Sequence, residues 1–305
     1  MENNSNNTAA APAAEKNPSD TAPKQKSGGC LIRIVELLAL IFLIWWANNF
    51  LLFRTEETIK SSKVKNDIKI AVISDLHASN SIFAISNERI IKKIKSFSPD
   101  AVCVLGDMHS SGADDKEKDI SMRLMKGLVA EGYKVFFVLG EHDDRTTAYI
   151  NKMEKNGIDV LDQRSERVKI GKTDVTFYGI SNAWFSDEFD LRDDFKLNDD
   201  TYNILLAHIP QFEAYEKFGA DLTLCADTHG GIIRLPFIGP AYLDGQIFPK
   251  LFGDGEVHDK GLFEYKNGYM FITSGIGNYP LPARFLNFPE VGEITIKAQK
   301  SKKKD

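Results

Sequence analysis

Apolar and polar residues follow different patterns in the first 66 residues. Residues 1–28 are rich in Asn, Ala, Pro, Ser and Lys without an apolar period, which predicts a disordered tail over residues 1–30. From Ile34 to Phe53 the chain is almost wholly apolar, and about 20 helical residues at about 1.5 Å each cross a hydrocarbon core of about 30 Å. We therefore predict one transmembrane helix over residues 31–53, contacting lipid through residues 34–53, and a polar linker over residues 54–66.

Two other kinds of segment have the same apolar pattern, a buried core helix and a signal peptide. A core helix of the globular part would need other elements to cover it on every face. A removed signal peptide would need a small-residue cleavage site after the apolar stretch, and the sequence shows none there. The pattern favours an uncleaved anchor. Because basic residues lie on both sides of it, the positive-inside rule does not decide the orientation of the helix in the membrane.

Beyond the linker, short apolar stretches alternate with amphipathic ones. The pattern predicts strands over Ile68–Ile73, Ala101–Leu105 and Val135–Leu139, separated by helices over Asn87–Phe97, Asp115–Glu131 and Thr146–Asn156. Strands that alternate with helices in this way form a largely parallel sheet.

The second half changes character. It predicts a hairpin over Val168–Ile180 that turns at Gly171-Lys172, strands over Tyr202–Ala207 and Leu222–Cys225, and a helix near Gln211–Phe218. Further short strands are predicted over Leu262–Tyr265, Tyr269–Thr273 and Glu293–Lys297. The prediction is an α/β domain over residues 67–298, with two sheets packed face to face and helices outside, followed by a basic tail over residues 299–305.

Composition narrows the function. With 43% apolar and 27% charged residues the chain has an ordinary globular composition. The formal net charge of -5 argues against a general nucleic-acid-binding protein, which needs a basic surface to bind phosphates.

The candidate chemistry lies where predicted strands end. The segments are Asp75-Leu76-His77, Gly106-Asp107, Gly140-Glu141-His142-Asp143, His208 and Asp227-Thr228-His229. Ligand crevices in open α/β sheets lie beyond the carboxyl ends of strands, so these carboxylates and imidazoles should meet at one rim. Alternate residues of an extended loop, as in Asp-x-His, can reach the same ion. Four of the six histidines fall in these segments, which together predict a two-metal site for phosphate ester hydrolysis.

In these motifs the chain resembles the calcineurin-like metallophosphoesterases, whose pattern is Asp-x-His, Gly-Asp, Gly-Asn-His-Asp or Glu, a lone His, and Gly-His-x-His. Thr228-His229-Gly230-Gly231 and Arg234-Leu235-Pro236-Phe237 are similar to a bacterial subgroup with an N-terminal membrane segment, some members of which act on lipid-linked or nucleotide-sugar phosphates. The resemblance implies a four-layer α/β/β/α sandwich, two divalent metals and a bridging hydroxide. It also implies a single-pass protein of the bacterial cytoplasmic membrane, with the catalytic domain expected outside the cytoplasm.

Carried over by position, the resemblance assigns seven metal ligands. The first metal is held by Asp75, His77 and His229, and Asp107 bridges to the second. The second metal is held by Glu141, His208 and Asp227, where the family has Asn, His and His. The chain also has Ala226 in place of a Gly, and Ile232 in place of a Gln that often follows the paired glycines.

The two substitutions leave two functions open. Four inferred carboxylates in place of two favour hard cations, so Mn²⁺ is the expected metal, with Fe, Mg and Zn as alternatives. The first possibility is an altered dinuclear hydrolase acting on a phosphate monoester or diester. The second is a single-metal or inactive anchored binding module.

The remaining expectations concern catalysis and substrate. His142 would stabilise developing charge or protonate the leaving oxygen, and Asp143 would orient its ring. Arg234 and Arg284 are candidates for binding the substrate phosphate, with structural salt bridges as the alternative. An irregular loop from Pro236 to Gly261 would cover the site, which together with the anchor suggests an amphiphilic substrate.

Overall fold

The architecture was analysed on a computed structural model, which describes residues 28–299 apart from 80, 82–83, 182–189 and 254–255. Of the predicted tails over residues 1–30 and 299–305, residues 1–27 and 300–305 lie outside the described residues, and residues 28–30 are helical and not a disordered tail. Contacts between Cα atoms divide the chain into two compact units, residues 1–41 and residues 42–305. The described part of the first unit is the N-terminal part of helix α1 (Gly28–Phe50). Within α1, Leu31–Phe50 is long and apolar enough to cross a membrane, with a mean hydropathy of 1.9.

The second unit is built on two six-stranded sheets. The first has the order β1-β16-β2-β3-β4-β5 and comprises β1 (Phe53–Ser61), β2 (Ile68–Ile73), β3 (Ala101–Val104), β4 (Lys134–Phe137), β5 (Ile158–Val160) and β16 (Glu290–Ala298). Strands β2 to β5 are parallel, whereas β16 runs antiparallel to β2 and parallel to β1.

The second sheet has the order β14-β15-β9-β8-β7-β6. Its strands are β6 (Arg164–Ile170), β7 (Thr173–Ile180), β8 (Tyr202–Ala207), β9 (Leu222–Cys225), β14 (Gly261–Glu264) and β15 (Tyr269–Ile272). The predicted hairpin is confirmed, because Ile170 pairs with Thr173 across the Gly171-Lys172 turn. Strands β7, β8, β9 and β15 are parallel.

Helices complete the layers. They are α2 (Asn87–Lys95), α3 (Asp115–Ala130), α4 (Thr147–Lys155), α5 (Leu191–Asp194), α6 (Phe212–Phe218) and α7 (Pro249–Phe252). Helices α2, α3 and α4 each begin after a residue whose side chain accepts from the first turn, namely Ser86, Asp114 and Thr146. The predicted cover loop contains α7 and the short strands β11 (Gly239–Pro240), β12 (Tyr242–Leu243) and β13 (Gln246–Ile247), and it directly follows β10 (Arg234–Leu235).

The pleat of each strand sorts its side chains between layers. Ile70 and Val72 join a core between the two sheets, where Phe136 stacks on Phe177 with ring centroids 4.1 Å apart. Ala71 and Ile73 point the opposite way, into a core shared with α2, α3 and α4. A third core lies between the second sheet and α5 and α6. The predicted four-layer α/β/β/α sandwich is therefore confirmed.

The predicted linker over residues 54–66 is wrong for most of its length, because residues 53–61 form edge strand β1. The partly or fully buried positions are Thr55, Glu57, Ile59 and Ser61, and they alternate with exposed ones. Only one face and one edge of this strand are covered, so most of its residues are polar and the apolar signal is weak. The first strand of the sheet thus begins directly after α1.

Candidate metal centre

The predicted ligands follow the carboxyl ends of β2, β3, β4, β8 and β9, as the strand-end argument required. Five of these residues have left-handed backbone conformations, with φ of 49° at Asp75, 41° at His77, 51° at Asp107, 66° at Asp227 and 47° at His229. Such φ values are uncommon for residues other than glycine. Where the surrounding structure maintains them, they mark sites under functional constraint.

Two glycines allow neighbouring loops to approach at the rim. A Cβ atom on Gly106 would lie 2.2 Å from the amide nitrogen of Gly140, and one on Gly140 would lie 2.1 Å from Oδ1 of Asp107. No side chain fits at either distance. The Gly-Asp and Gly-Glu-His-Asp segments therefore need glycine in order to place Asp107 beside His142.

One ligand group consists of Asp75, His77 and His229, whose donor atoms all lie within 4.8 Å of one another. Nε2 of His229 is 3.7 Å from Oδ1 of Asp75. Burial lowers the pKa of His77 to about 4, so this ring is neutral and can donate a lone pair. Ser110 Oγ lies 3.1 Å from its Nδ1, and the ring of Tyr279 stacks on it at 4.3 Å between centroids.

A second group consists of Asp75, Asp107 and His208. Nδ1 of His208 lies 2.6 Å from the carbonyl oxygen of Leu105, to which it donates, so Nε2 faces the carboxylates at 3.4 Å from Asp107 Oδ2 and 4.0 Å from Asp75 Oδ1. Burial lowers the pKa of His208, but the carboxylates of Asp107 and Asp75 raise it to about 10. Burial raises the pKa of Asp75 to about 7, although the charges of His208 and Arg284 oppose this shift.

Orphaned donor atoms test whether these residues fit a metal. Both carboxylate oxygens of Asp75, Nε2 of His77 and Nε2 of His208 are buried, and none has a hydrogen-bond partner among the described residues. Each unpaired buried polar atom costs about 1–3 kcal/mol. Cations placed among them would satisfy all four atoms at once, and carboxylate and imidazole are the ligands that divalent transition metals bind. The residues present therefore fit a divalent metal centre.

The two substituted positions lie on the solvent side of this cluster. Asp227 has an accessible fraction of 31% for its side chain, and its Oδ1 is 3.7 Å from Nε2 of His208. Burial and the neighbouring charge of Glu141 raise the pKa of Asp227 to about 6, although the charge of His208 opposes the shift. Glu141 is 38% accessible, and its Oε1 is 3.6 Å from Nε2 of His142. The structure places Asp227 beside His208, and Glu141 at the rim outside both close groups.

His142 lies at the centre, but its ring has a partner different from the predicted one. Ser111 Oγ is 2.6 Å from Nδ1 of His142, and Nε2 of the ring points toward Asp107 Oδ2 at 3.9 Å. The carboxylate of Asp143 instead accepts the backbone amides of Asp107, Met108 and Gly140 at 2.7, 3.0 and 2.9 Å. The prediction that Asp143 orients the ring of His142 is therefore wrong. Asp143 holds the two ligand-bearing loops together.

Sequence reasoning missed the contribution of His109, Ser110 and Ser111. His109 is buried, with Nδ1 3.2 Å from Asp143 Oδ1, and its Nε2 accepts the amide of Asp144. The two serines contact the rings of His77 and His142 as described above. Their position shortly after Gly106-Asp107 could have indicated this contribution. When the first residues of a loop include a metal ligand, the residues that follow also lie close to the metal.

Both arginines make structural contacts. Arg284 is 3% exposed, and its Nη2 donates to the carbonyl oxygens of Ser274 and Gly277 at 2.7 and 2.8 Å. Its buried charge acts through Asp75, whose pKa it lowers. Arg234 donates from Nη1 to Asp259 at 2.5 Å and to the carbonyl oxygen of Gly230. The structural alternative is therefore observed for both residues, and their substrate contacts stay predictions.

Comparison with known proteins agrees with this geometry. The sequence model described as calcineurin-like phosphoesterase matches residues 68–234. An uncharacterized metallophosphoesterase of Bacillus subtilis, YkuE, is 27% identical over 259 residues, covering 80% of this chain and 85% of that protein. One from Aquifex aeolicus is 28% identical over 256 residues, covering 79% and 90%. A putative 5'-nucleotidase structure from Staphylococcus aureus is 11% identical with a TM-score of 0.45, covering 69% of this chain and 49% of that chain.

Proposed function

The chain belongs to the calcineurin-like phosphoesterases, a family of phosphoester hydrolases, and on that premise we propose a membrane-anchored, metal-dependent enzyme that hydrolyses a phosphate monoester or diester. The observation that carries the proposal is the set of buried, unpartnered donor atoms on Asp75, His77 and His208. When bound, a pair of divalent cations would supply Lewis acidity toward the phosphoryl oxygens and would lower the pKa of a water molecule.

Asp75, His77 and His229 would hold the first cation. Asp107 suits the bridging position, because its Oδ1 accepts the amide of His142 at 2.9 Å while its Oδ2 remains directed at the centre. Oδ2 lies 3.8 Å from Nε2 of His77 and 3.4 Å from Nε2 of His208. His208, Asp227 and Glu141 would complete the second position, with Glu141 turning inward from the rim.

The donor set bears on which metal is bound. With Asp107, Asp227 and Glu141 around it, the second position offers three carboxylates and one imidazole. Oxygen-rich sites favour hard cations, which supports Mn²⁺ as the resident metal and leaves Fe²⁺, Mg²⁺ and Zn²⁺ as alternatives.

His142 is the residue placed to move a proton. Its Nδ1 is held by Ser111, so Nε2 faces the space between Asp107 and Glu141. We propose that Nε2 donates to the leaving oxygen of the substrate, which contributes about 10²–10⁴-fold to the rate. Asp143 supports this step indirectly, because it holds the loop that carries Asp107.

The end of α1 supports an anchor that is retained. Asn48 and Asn49 are buried, and their side-chain oxygens accept the backbone amides of Leu286 and Arg284 at 2.6 and 2.9 Å. Nδ2 of Asn278 in turn donates to the backbone carbonyl of Asn49. A signal sequence is removed without loss to the folded domain, whereas these residues are part of it. The exposed apolar side chains earlier in α1 are then available to lipid.

For the location we propose a single pass through the bacterial cytoplasmic membrane, with the catalytic domain on its outer side. Fusing a reporter that is active only outside the cytoplasm after residue 298 tests this orientation. Activity of that fusion supports the orientation, and activity of a cytoplasmic reporter at the same position contradicts it.

A second function is favoured by one observation. Glu141 lies at the exposed rim and Asp227 is outside both close ligand groups, as expected of a protein that binds one metal and catalyses nothing. Such a protein would be an anchored phosphoesterase-like binding module. The two functions differ in metal stoichiometry and turnover.

The experiment uses the full-length protein in detergent, with metal content by elemental analysis and hydrolysis of p-nitrophenyl phosphate and bis(p-nitrophenyl) phosphate across Mn²⁺, Mg²⁺, Fe²⁺ and Zn²⁺. Two metals per chain with Mn²⁺-dependent turnover support the hydrolase. Asp227→Ala should then retain one metal, whereas Asp244→Ala, which removes a nearby exposed carboxylate, should retain two. One metal or none in the wild type, without turnover, supports the binding module.

A further inference from the structure

A pocket of about 250 Å³ lies between the end of α1 and the metal centre. We call it the helix-end pocket. Its inner walls are formed by buried apolar side chains, among them Phe50, Leu76, Ile85 and Ile276. The half-buried Ile120 of α3 also lines it. No Asp, Glu, Lys or Arg is among the described residues that line this pocket, so none of these side chains could pair with a charged ligand group there.

The helix-end pocket adjoins the metal centre at His77. His77, a ligand of the proposed first metal, is part of its wall, together with its chain neighbours Leu76 and Ala78. Tyr279 stacks on the ring of His77, and the next residue, Pro280, also lines the pocket. The pocket and the proposed first metal position therefore share one residue, His77.

The other side of the pocket belongs to the apolar helix. Trp45 and Phe50 line it, and both lie within Leu31–Phe50, the stretch apolar enough to cross a membrane. Nε1 of Trp45 donates to the carbonyl oxygen of Pro282 at 2.7 Å, which fixes the helix against the rim. Leu281, between the two rim prolines, is 68% exposed. An apolar rim attached to an apolar helix is suited to receiving a molecule from lipid.

We propose that the helix-end pocket binds an alkyl chain of a lipid phosphoester whose phosphate is held at the metal centre. This inference rests on the proposed function and names its substrate class. A methylene group needs about as much space as a water molecule, about 30 Å³, so the pocket holds a chain of about eight carbons. Oδ1 of Asn278 is buried in this region without a partner among the described residues, and can accept a hydroxyl close to the phosphate.

The test compares two probes, methylphosphonate and octylphosphonate, on full-length protein in lipid nanodiscs with Mn²⁺. Calorimetry measures binding, and inhibition of bis(p-nitrophenyl) phosphate hydrolysis measures competition. Ile120→Trp fills the pocket from α3. Ile150→Trp is the matched control, because Ile150 is also half-buried against the same core but does not line the pocket. Neither isoleucine belongs to the metal centre.

In the wild type, octylphosphonate should bind at least about 100-fold more tightly than methylphosphonate, since each buried methylene favours binding. Ile120→Trp should reduce that ratio at least about tenfold with bis(p-nitrophenyl) phosphate turnover unchanged, and Ile150→Trp should preserve it. Equal affinities for both probes, or an equal loss of the ratio in both variants, overturns the pocket assignment. Absence of turnover with any metal contradicts the proposed function alone. The ratio of the two affinities measured by calorimetry still tests whether the pocket binds an alkyl chain.

Discussion

Replacing Asp143 with Asn should destabilise the protein although the two side chains have nearly the same shape. The carboxylate accepts three backbone amides, two at Oδ2 and one at Oδ1, and Oδ1 also lies 3.2 Å from the ring of His109. The side chain of Asn has only one acceptor oxygen, so at least one of the buried backbone N–H groups loses its acceptor. The remaining N–H groups then donate to a neutral oxygen in place of a charged one. At about 1.5–3 kcal/mol for a hydrogen bond to a charged group, the expected loss is about 2–4 kcal/mol.

Thermal unfolding of the full-length protein in detergent measures this effect. For a domain of this size, about 1 kcal/mol shifts the midpoint by about 2–4 °C, so Asp143→Asn should lower it by about 5–15 °C. Turnover should fall as well, because Asp107 and Gly140 are no longer held together. Asp162→Asn, at an exposed position, is the matched control and should change neither quantity. A midpoint for Asp143→Asn within 1 °C of that control would refute the assignment of Asp143 as the clamp between the two loops.

Three further predictions concern other parts of the molecule. His142→Asn should lower kcat by about 10²–10⁴-fold with metal content unchanged, and Ser111→Ala should lower kcat less. Loss of metal in His142→Asn would instead indicate that His142 is a metal ligand. Burial raises the pKa of Glu290, but the charge of Lys260 and the hydrogen bonds that the Glu290 carboxylate accepts bring this pKa below its ordinary value. The stability that the carboxylate confers is therefore present above about pH 4.3, the pKa in the unfolded chain, and is lost as pH falls through the lower pKa of the folded protein. The unfolding midpoint of Glu290→Gln should accordingly lie below that of the wild type at pH 7 and approach it in acid, and a constant difference across pH would contradict the assignment. Asn49→Leu should cost about 1–3 kcal/mol in unfolding free energy, because it leaves a buried backbone amide without its acceptor; an unchanged midpoint would show that the end of α1 is dispensable.

The sequence was sufficient for the layers and for most of the cluster. Buried strands such as Ile68–Ile73 are continuous apolar stretches, and a ligand that directly follows such a strand must lie at its carboxyl end. Asp75, His77, Asp107, His208 and His229 could therefore be placed together before their contacts were known. The ligand roles of these residues remain predictions that metal analysis must test.

The errors share a physical cause, because each concerns a partner distant in sequence. His142 and Asp143 are adjacent, which favoured pairing them, but the backbone directs one ring to Ser111 and the neighbouring carboxylate to the amides after β3. Arg284 was a candidate for binding the substrate phosphate, with a salt bridge as the alternative, yet its guanidinium donates to the backbone carbonyls of Ser274 and Gly277. Strand β1 was missed because an edge strand needs few apolar residues.

The direct junction between α1 and β1 limits where this enzyme can work. Only Leu51 and Leu52 separate the helix from the first strand, and Asn48 and Asn49 are already hydrogen-bonded to the folded unit. A catalytic domain on a long tether samples a volume above the bilayer, whereas a domain without one remains at the surface. For a chain anchored through α1, encounters with substrate then depend on lateral diffusion within the membrane plane, and turnover should follow the surface density of the substrate and not its bulk concentration.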